Sequence, residues 1–187
     1  VLSSATTIEQ TLTFKPDNSF ASQVAVLHPD AAFKGLTVLL AEEKRLAKDS
    51  TFFLPSIEHQ EFAVRHQESL DRVNASSKKE AVDKSFGQVS MVAVGSQYFA
   101  SALVDKSQIL PEVDVKAPIQ GELAAQLTYK PATLSDRMEL QWIGYAGPRS
   151  LSQRRSVVPA FEDIVNFGFF SPIGKILLIC LKCFHSF

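Results

Sequence analysis

From Thr6 to about Gln153 the apolar residues recur mostly at every second position. Ile8, Leu12 and Phe14 alternate with polar neighbours, the period of a half-buried strand. Lys15-Pro16-Asp17-Asn18 then reads as a turn. Further strands are predicted over Phe20 to Leu27 and Leu36 to Leu40, separated by the break His28-Pro29-Asp30. Ala41 to Lys48 favours helix locally but is short and uncapped, and reads as a loop or single turn. Glu61 to Val73 fits helix or strand, and its strand-rich neighbourhood favours strand. Asn74 to Ser85 is polar and charged, the text of a solvated loop or hairpin end. Val89 to Val94 and Tyr98 to Val104 are apolar almost throughout, as expected of central strands buried on both faces. Leu123 to Tyr129 and Met138 to Tyr145 read as a later antiparallel pair. Repeated short strands joined by turns predict a sandwich rather than alternating strands and helices.

The pattern changes after Gly147-Pro148. Arg149 to Ser156 is polar and basic, and Val157 to Phe170 carries apolar residues nearer helical spacing. Ser171 as N-cap and Pro172 in the first turn predict a new helix running to Phe187. The boundaries expected from sequence are 1–153 for the β domain, 154–170 for a helical linker and 171–187 for an amphipathic helix.

That last run, SPIGKILLICLKCFHSF, sets up four readings. A helix from Pro172 to Phe187 would extend roughly 24 Å at ~1.5 Å per residue. A bilayer core needs about 20 apolar residues, so the run is too short to span alone. Lys175 and Lys182 fall on one helical face, against Ile176, Leu177, Leu181 and Phe184 elsewhere on the helix. Such a helix can lie at a bilayer surface with its lysines reaching the headgroups. It can equally pack on the sandwich, and the pattern leaves these two readings open. Cys180 and Cys183 match C-x-x-C, but a redox pair needs the first cysteine at a helix N-terminus. Deep in an apolar run they read as two small hydrophobes.

Composition narrows the classes. The chain has 187 residues, 45% hydrophobic and 21% charged, with net charge −1. This is ordinary globular composition, and without a basic stripe it argues against nucleic-acid binding. No signal-peptide order opens the chain. Val1 and the unfinished apolar run at Phe187 both read as cut ends of a longer protein. His28, His59 and His66 show no metal spacing, and a zinc site at the two cysteines would need further ligands at suitable spacing, which His185 alone does not supply. No nucleophile elbow, P-loop or dinucleotide fingerprint occurs. No catalytic, metal or cofactor residue is therefore assigned, and Trp142, the only tryptophan, reads as core.

Two blocks carry a family resemblance. Gly95 to Val104 (GSQYFASALV), with Gln97, Tyr98 and Phe99 at its heart, resembles the Q-Y-F-x-x-A block of YidC membrane protein insertases. Tyr145 to Arg149 (YAGPR), with Gly147 and Pro148, resembles that family's aromatic-x-G-P-K/R turn. Phe167 to Phe170, Gly174 to Leu177 and Phe184 to Phe187 resemble the segment leading into the insertase core. Asp105 departs from the family, which often has Pro there, and the tail lacks a Trp that many members carry.

The resemblance implies a mainly β fold, a β-supersandwich like galactose mutarotase, with C-terminal helices. It implies a non-catalytic accessory domain on the periplasmic side of the bacterial inner membrane, working without a cofactor. The tail would be an interfacial helix touching lipid through Lys175, Ile176, Leu177, Leu181, Lys182 and Phe184. Expected partners are the lipid surface, nascent membrane proteins and Sec translocon subunits. The fold leaves one rival, a mutarotase-like sugar-binding or sugar-modifying sandwich, for which His59, Glu61 and His66 would have to converge. A chaperone without a membrane core is a third reading.

Overall fold

The computed structural model describes residues 6–27, 29, 33–44, 60–76, 79–96, 99–130 and 137–148. These residues form strands and turns, with no helix among them. The strands are β1 (Thr7–Phe14), β2 (Ser19–Leu27), β3 (Leu36–Glu43), β4 (Glu61–His66), β5 (Ser69–Asn74), β6 (Val82–Phe86), β7 (Val89–Gly95), β8 (Phe99–Asp105), β9 (Glu112–Ala117), β10 (Glu122–Tyr129) and β11 (Arg137–Pro148). A seven-stranded sheet has the order β1-β2-β11-β8-β7-β4-β5, and a four-stranded sheet the order β3-β10-β9-β6. Every described strand pair is antiparallel. The predicted sandwich is what the chain forms.

One face of each sheet supplies the shared core. Val24, Val26, Phe62, Val64, Val92, Val94, Leu103, Leu140 and Trp142 from the larger sheet meet Val113, Val115, Leu123, Ala125, Leu127 and Tyr129 from the smaller. The alternation is cleanest in β10, where Leu123, Ala125, Leu127 and Tyr129 are buried and the residues between them are not. In β7 and β8 the opposite face is buried too, at Met91, Ala93, Ala100, Ala102 and Val104. That is why these two strands read as near-continuous apolar runs.

Four sequence expectations need correction. The segment 61–73 is two strands rather than one, folded back at Gln67, whose φ of 52° is left-handed. The polar stretch 74–85 contains most of β6. There Asp83, Lys84 and Ser85 are all exposed, and a charged edge strand of this kind reads in sequence like a loop. β3 continues through Ala41, Glu42 and Glu43, so the local helix preference of that stretch yields to pairing with β10. Finally, β10 and β11 are not a pair. β10 lies between β3 and β9, and β11 between β2 and β8, in different sheets. The helices expected beyond Gly147-Pro148 lie outside the described residues.

Candidate functional site

The two family-like blocks, far apart in sequence, are neighbours in the sheet. β8 and β11 pair with Phe99 opposite Pro148, Ala100 opposite Gly147, Ser101 opposite Ala146 and Ala102 opposite Tyr145. Each block is built by steric and hydrogen-bond demands of its own. At the β7–β8 turn a Cβ on Gly95 would lie 2.4 Å from the Phe99 carbonyl oxygen and 2.7 Å from Ala100 Cα. Only glycine allows the strands to close there. The Ser96 amide donates to the Phe99 carbonyl at 2.9 Å, and the Phe99 amide to Ser96 Oγ at 3.4 Å. At the end of β11 the buried Tyr145 donates its hydroxyl to the Pro148 carbonyl at 2.6 Å. A Cβ on Gly147 would stand 3.0 Å from that hydroxyl. The Ala146 amide donates to the Asn18 carbonyl at 3.0 Å, which ties in the β1–β2 turn. The junction thus ties the end of β11 to the β7–β8 turn and the β1–β2 turn. Phe99 stays 52% exposed and Pro148 is exposed. Gln97 and Tyr98 lie outside the described residues.

A second cluster sits between the sheets at the other end of β8. Trp142 donates Nε1–H to Tyr129 Oη at 2.5 Å, and the Tyr129 hydroxyl donates to Asp105 Oδ2. The other oxygen of Asp105 accepts the Ser107 amide at 2.5 Å. The Tyr129 and Trp142 rings meet edge-on at 5.8 Å. Burial, and then the carboxylate that accepts its proton, push the Tyr129 hydroxyl well above its ordinary value. The cluster joins β8 and β11 of one sheet to β10 of the other. Asp105, singled out in sequence only as a departure at a turn, is therefore an inter-sheet tie. The Trp142 core reading holds, but its hydrogen bond was not visible in the sequence.

An apolar groove of about 360 Å³ opens between β1, β2 and β3. Ile8, Leu12, Phe20, Val38 and Leu40 line it, with Gln10 and Ser22 as its polar members and Trp142 at its floor. At another end of the sandwich the buried Lys44 donates Nζ to the Pro118 carbonyl at 2.6 Å, and burial lowers its pKa. Gln60 beside it donates to the Glu43 carbonyl at 3.0 Å.

Glu61 and His66, two of the residues a sugar-modifying enzyme would need, do not converge. Glu61 opens β4 and bonds Arg72 at 2.8 Å, while His66 closes β4 and bonds Asp71 at 2.8 Å. Five positions apart on a strand, their side chains point to opposite faces. His59 lies outside the described residues. So do Lys175, Ile176, Leu177, Leu181, Lys182 and Phe184. Among the described residues no group of three or more metal-ligating side chains occurs, and no helix is long and apolar enough to cross a membrane.

Residues 3–180 match the family model described as the YidC periplasmic domain. The chain is also similar to a protein named Membrane protein insertase YidC from Nitrosospira multiformis (strain ATCC 25196 / NCIMB 11849 / C 71). The two are 28% identical over 131 residues, which is 69% of this chain and 22% of that relative. The chain thus spans about a fifth of the relative's length.

Proposed function

Because the chain belongs to the YidC periplasmic-domain family, we propose that it is the periplasmic portion of a YidC-type insertase. In this reading it assists the insertion and folding of inner-membrane proteins as a non-catalytic accessory. The family match over residues 3–180 carries the proposal. The described geometry supports it, since Gly95, Phe99, Tyr145, Gly147 and Pro148 of the two family blocks meet at one structural junction. The domain faces the periplasm, and its β11 exit leads toward a tail that lies on the lipid surface. Lys175 and Lys182 reach headgroups there, while Ile176, Leu177, Leu181 and Phe184 enter the acyl boundary. Nascent membrane proteins and Sec translocon subunits are the partners this places within reach.

Two measurements test it. In a vesicle flotation assay, the double variant Leu177→Glu, Leu181→Glu should lose most of the bound fraction. Unchanged flotation would count against the interfacial tail. In reconstituted full-length insertase, removing residues 6–148 should reduce insertion of a model substrate without abolishing it. Complete loss, in protein still folded in the membrane, would overturn the accessory role. A mutarotase-like activity is the second reading, and a sugar-anomerisation assay that gave turnover would favour it over the first.

A further inference from the structure

β1 is an edge strand of the larger sheet, yet its side chains alternate like those of an inner one. Among the described residues it pairs with β2 alone. All eight of its residues are exposed, and Glu9 is its single charge. Ile8, Gln10 and Leu12 stand opposite Val26, Val24 and Ser22, on the face that turns to the core. Those three β2 residues are at most 5% exposed, whereas Ile8 and Leu12 remain 44% and 46% exposed. No residue of β1 belongs to the shared core cluster. The strand therefore overhangs the smaller sheet. One of its faces is largely apolar, and its outer edge presents a row of backbone amides and carbonyls.

The chemistry of that edge specifies its partner. A backbone row is completed by another extended backbone, and β1 is its own complement. When two identical strands pair antiparallel about a twofold axis, residues of one face meet residues of the same face. An axis through Gln10 sets Ile8 opposite Leu12, and Leu12 opposite Ile8, on the core-side face. Gln10 meets its own copy there, and a side-chain amide offers both donors and an acceptor. On the other face Glu9 meets Thr11, whose hydroxyl can donate to it, and Thr7 meets Thr13. The two Glu9 residues lie on a diagonal, roughly 7–8 Å apart. An axis through Glu9 would instead set the two carboxylates directly opposite one another. An axis through Thr11 would set Leu12 opposite Gln10. Of the three registers, only the one centred on Gln10 matches apolar with apolar and polar with polar along the strand.

We infer that β1 is a dimerisation edge, on which a second copy of this chain pairs antiparallel about an axis through Gln10. The two seven-stranded sheets then run on as one. The inference is independent of the membrane reading and holds for the chain in plain solution. Two paired strands make a small interface, below about 1,200 Å², so the dimer is weak and its population depends on concentration.

Sedimentation equilibrium of the full chain, without lipid, tests it. The unmodified chain should pass from monomer to dimer as concentration rises. Thr11→Glu sets a second carboxylate opposite Glu9 of the partner subunit, twice in each dimer, and should weaken dimerisation about fivefold. Adding Glu9→Lys to that variant turns both repulsions into attractions and should restore the dimer. Positions 9 and 11 are exposed, so the thermal midpoint should stay unchanged in both variants. Association through the apolar run at 171–187 would not respond to either change. Register is read in a chain carrying Cys180→Ser and Cys183→Ser. There Gln10→Cys should oxidise to a disulfide-linked dimer faster than Thr11→Cys, because only position 10 faces its own copy. A chain that stays monomeric up to its solubility limit overturns the inference. So does a dimer that is indifferent to the charge exchange, or one that Leu39→Lys on the β3 edge dissociates instead.

Discussion

At the residue scale the family-like motifs turn out to be rules of close approach. Gly95 meets backbone atoms that cannot retreat, whereas Gly87 has nothing within 4 Å of where a Cβ would stand. Gly95→Ala should therefore cost about 1–3 kcal/mol in urea denaturation, and Gly87→Ala should be nearly neutral. Equal costs would remove the steric account of GSQYF. Tyr145→Phe should lose roughly 1 kcal/mol, the bond to the Pro148 carbonyl. Tyr129 gives a pH signature of definite sign. Its folded-state pKa is raised, so the folded chain keeps a proton that the unfolded chain releases above about pH 10. The stability this contributes is fully present below that pH and falls as pH rises beyond it. Denaturant midpoints measured from pH 8 to 11 should drop in the native chain, and the drop should be smaller in Tyr129→Phe. That variant starts from a lower baseline, since Trp142 and Asp105 each lose a partner.

At the scale of elements, the edges of the two sheets are treated unequally. β5 carries Asp71 and Arg72, and β6 carries Asp83 and Lys84, charges that discourage pairing with a foreign strand. β1 has eight exposed residues and a single charge, Glu9, and β3 exposes Leu39 at 61%. Leu12→Lys should suppress concentration-dependent association, read by light scattering, with little change in stability because Leu12 is already 46% exposed. The same contrast explains what the sequence disclosed. β2, β7, β8 and β10 were legible because their apolar pattern reports burial directly. β6 was not, because an edge strand spends its side chains on solvent and so resembles a loop. β9, Glu112–Ala117, drew no prediction although Val113, Val115 and Ala117 are wholly buried, since three small apolar residues among charges make a weak local signal. Assigning β10 and β11 to different sheets was beyond reach for another reason. Period-2 patterns say which face is buried but not which strand lies alongside. The junction of Phe99 with Pro148 was half legible, both blocks being recognisable, but their register is a property of the sheet alone.

At the scale of the whole sandwich, the deciding fact is that one core belongs to both sheets. Val92 and Leu140 of the larger sheet pack in the same cluster as Leu127 and Val115 of the smaller, and the Asp105–Tyr129–Trp142 chain bridges them. β2 and β11 pair although they stand near opposite ends of the described chain, so the larger sheet is not complete until its last strand arrives. Neither sheet can bury its apolar face without the other, and two-state unfolding is the expected consequence. Trp142 is placed to report on it, since its ring lies against Tyr129 of the facing sheet. Unfolding followed by tryptophan fluorescence senses the inter-sheet contact, and unfolding followed by far-ultraviolet circular dichroism senses the strands. The two midpoints in urea should coincide. Leu127→Ala, in the smaller sheet, and Leu140→Ala, in the larger, should each cost about 2–5 kcal/mol. Each should move both probes together. A fluorescence transition that precedes the loss of strand signal would mean that the sheets separate before they unfold. The bridging chain would then be a weak clasp, and Tyr129→Phe should widen the gap between the two midpoints.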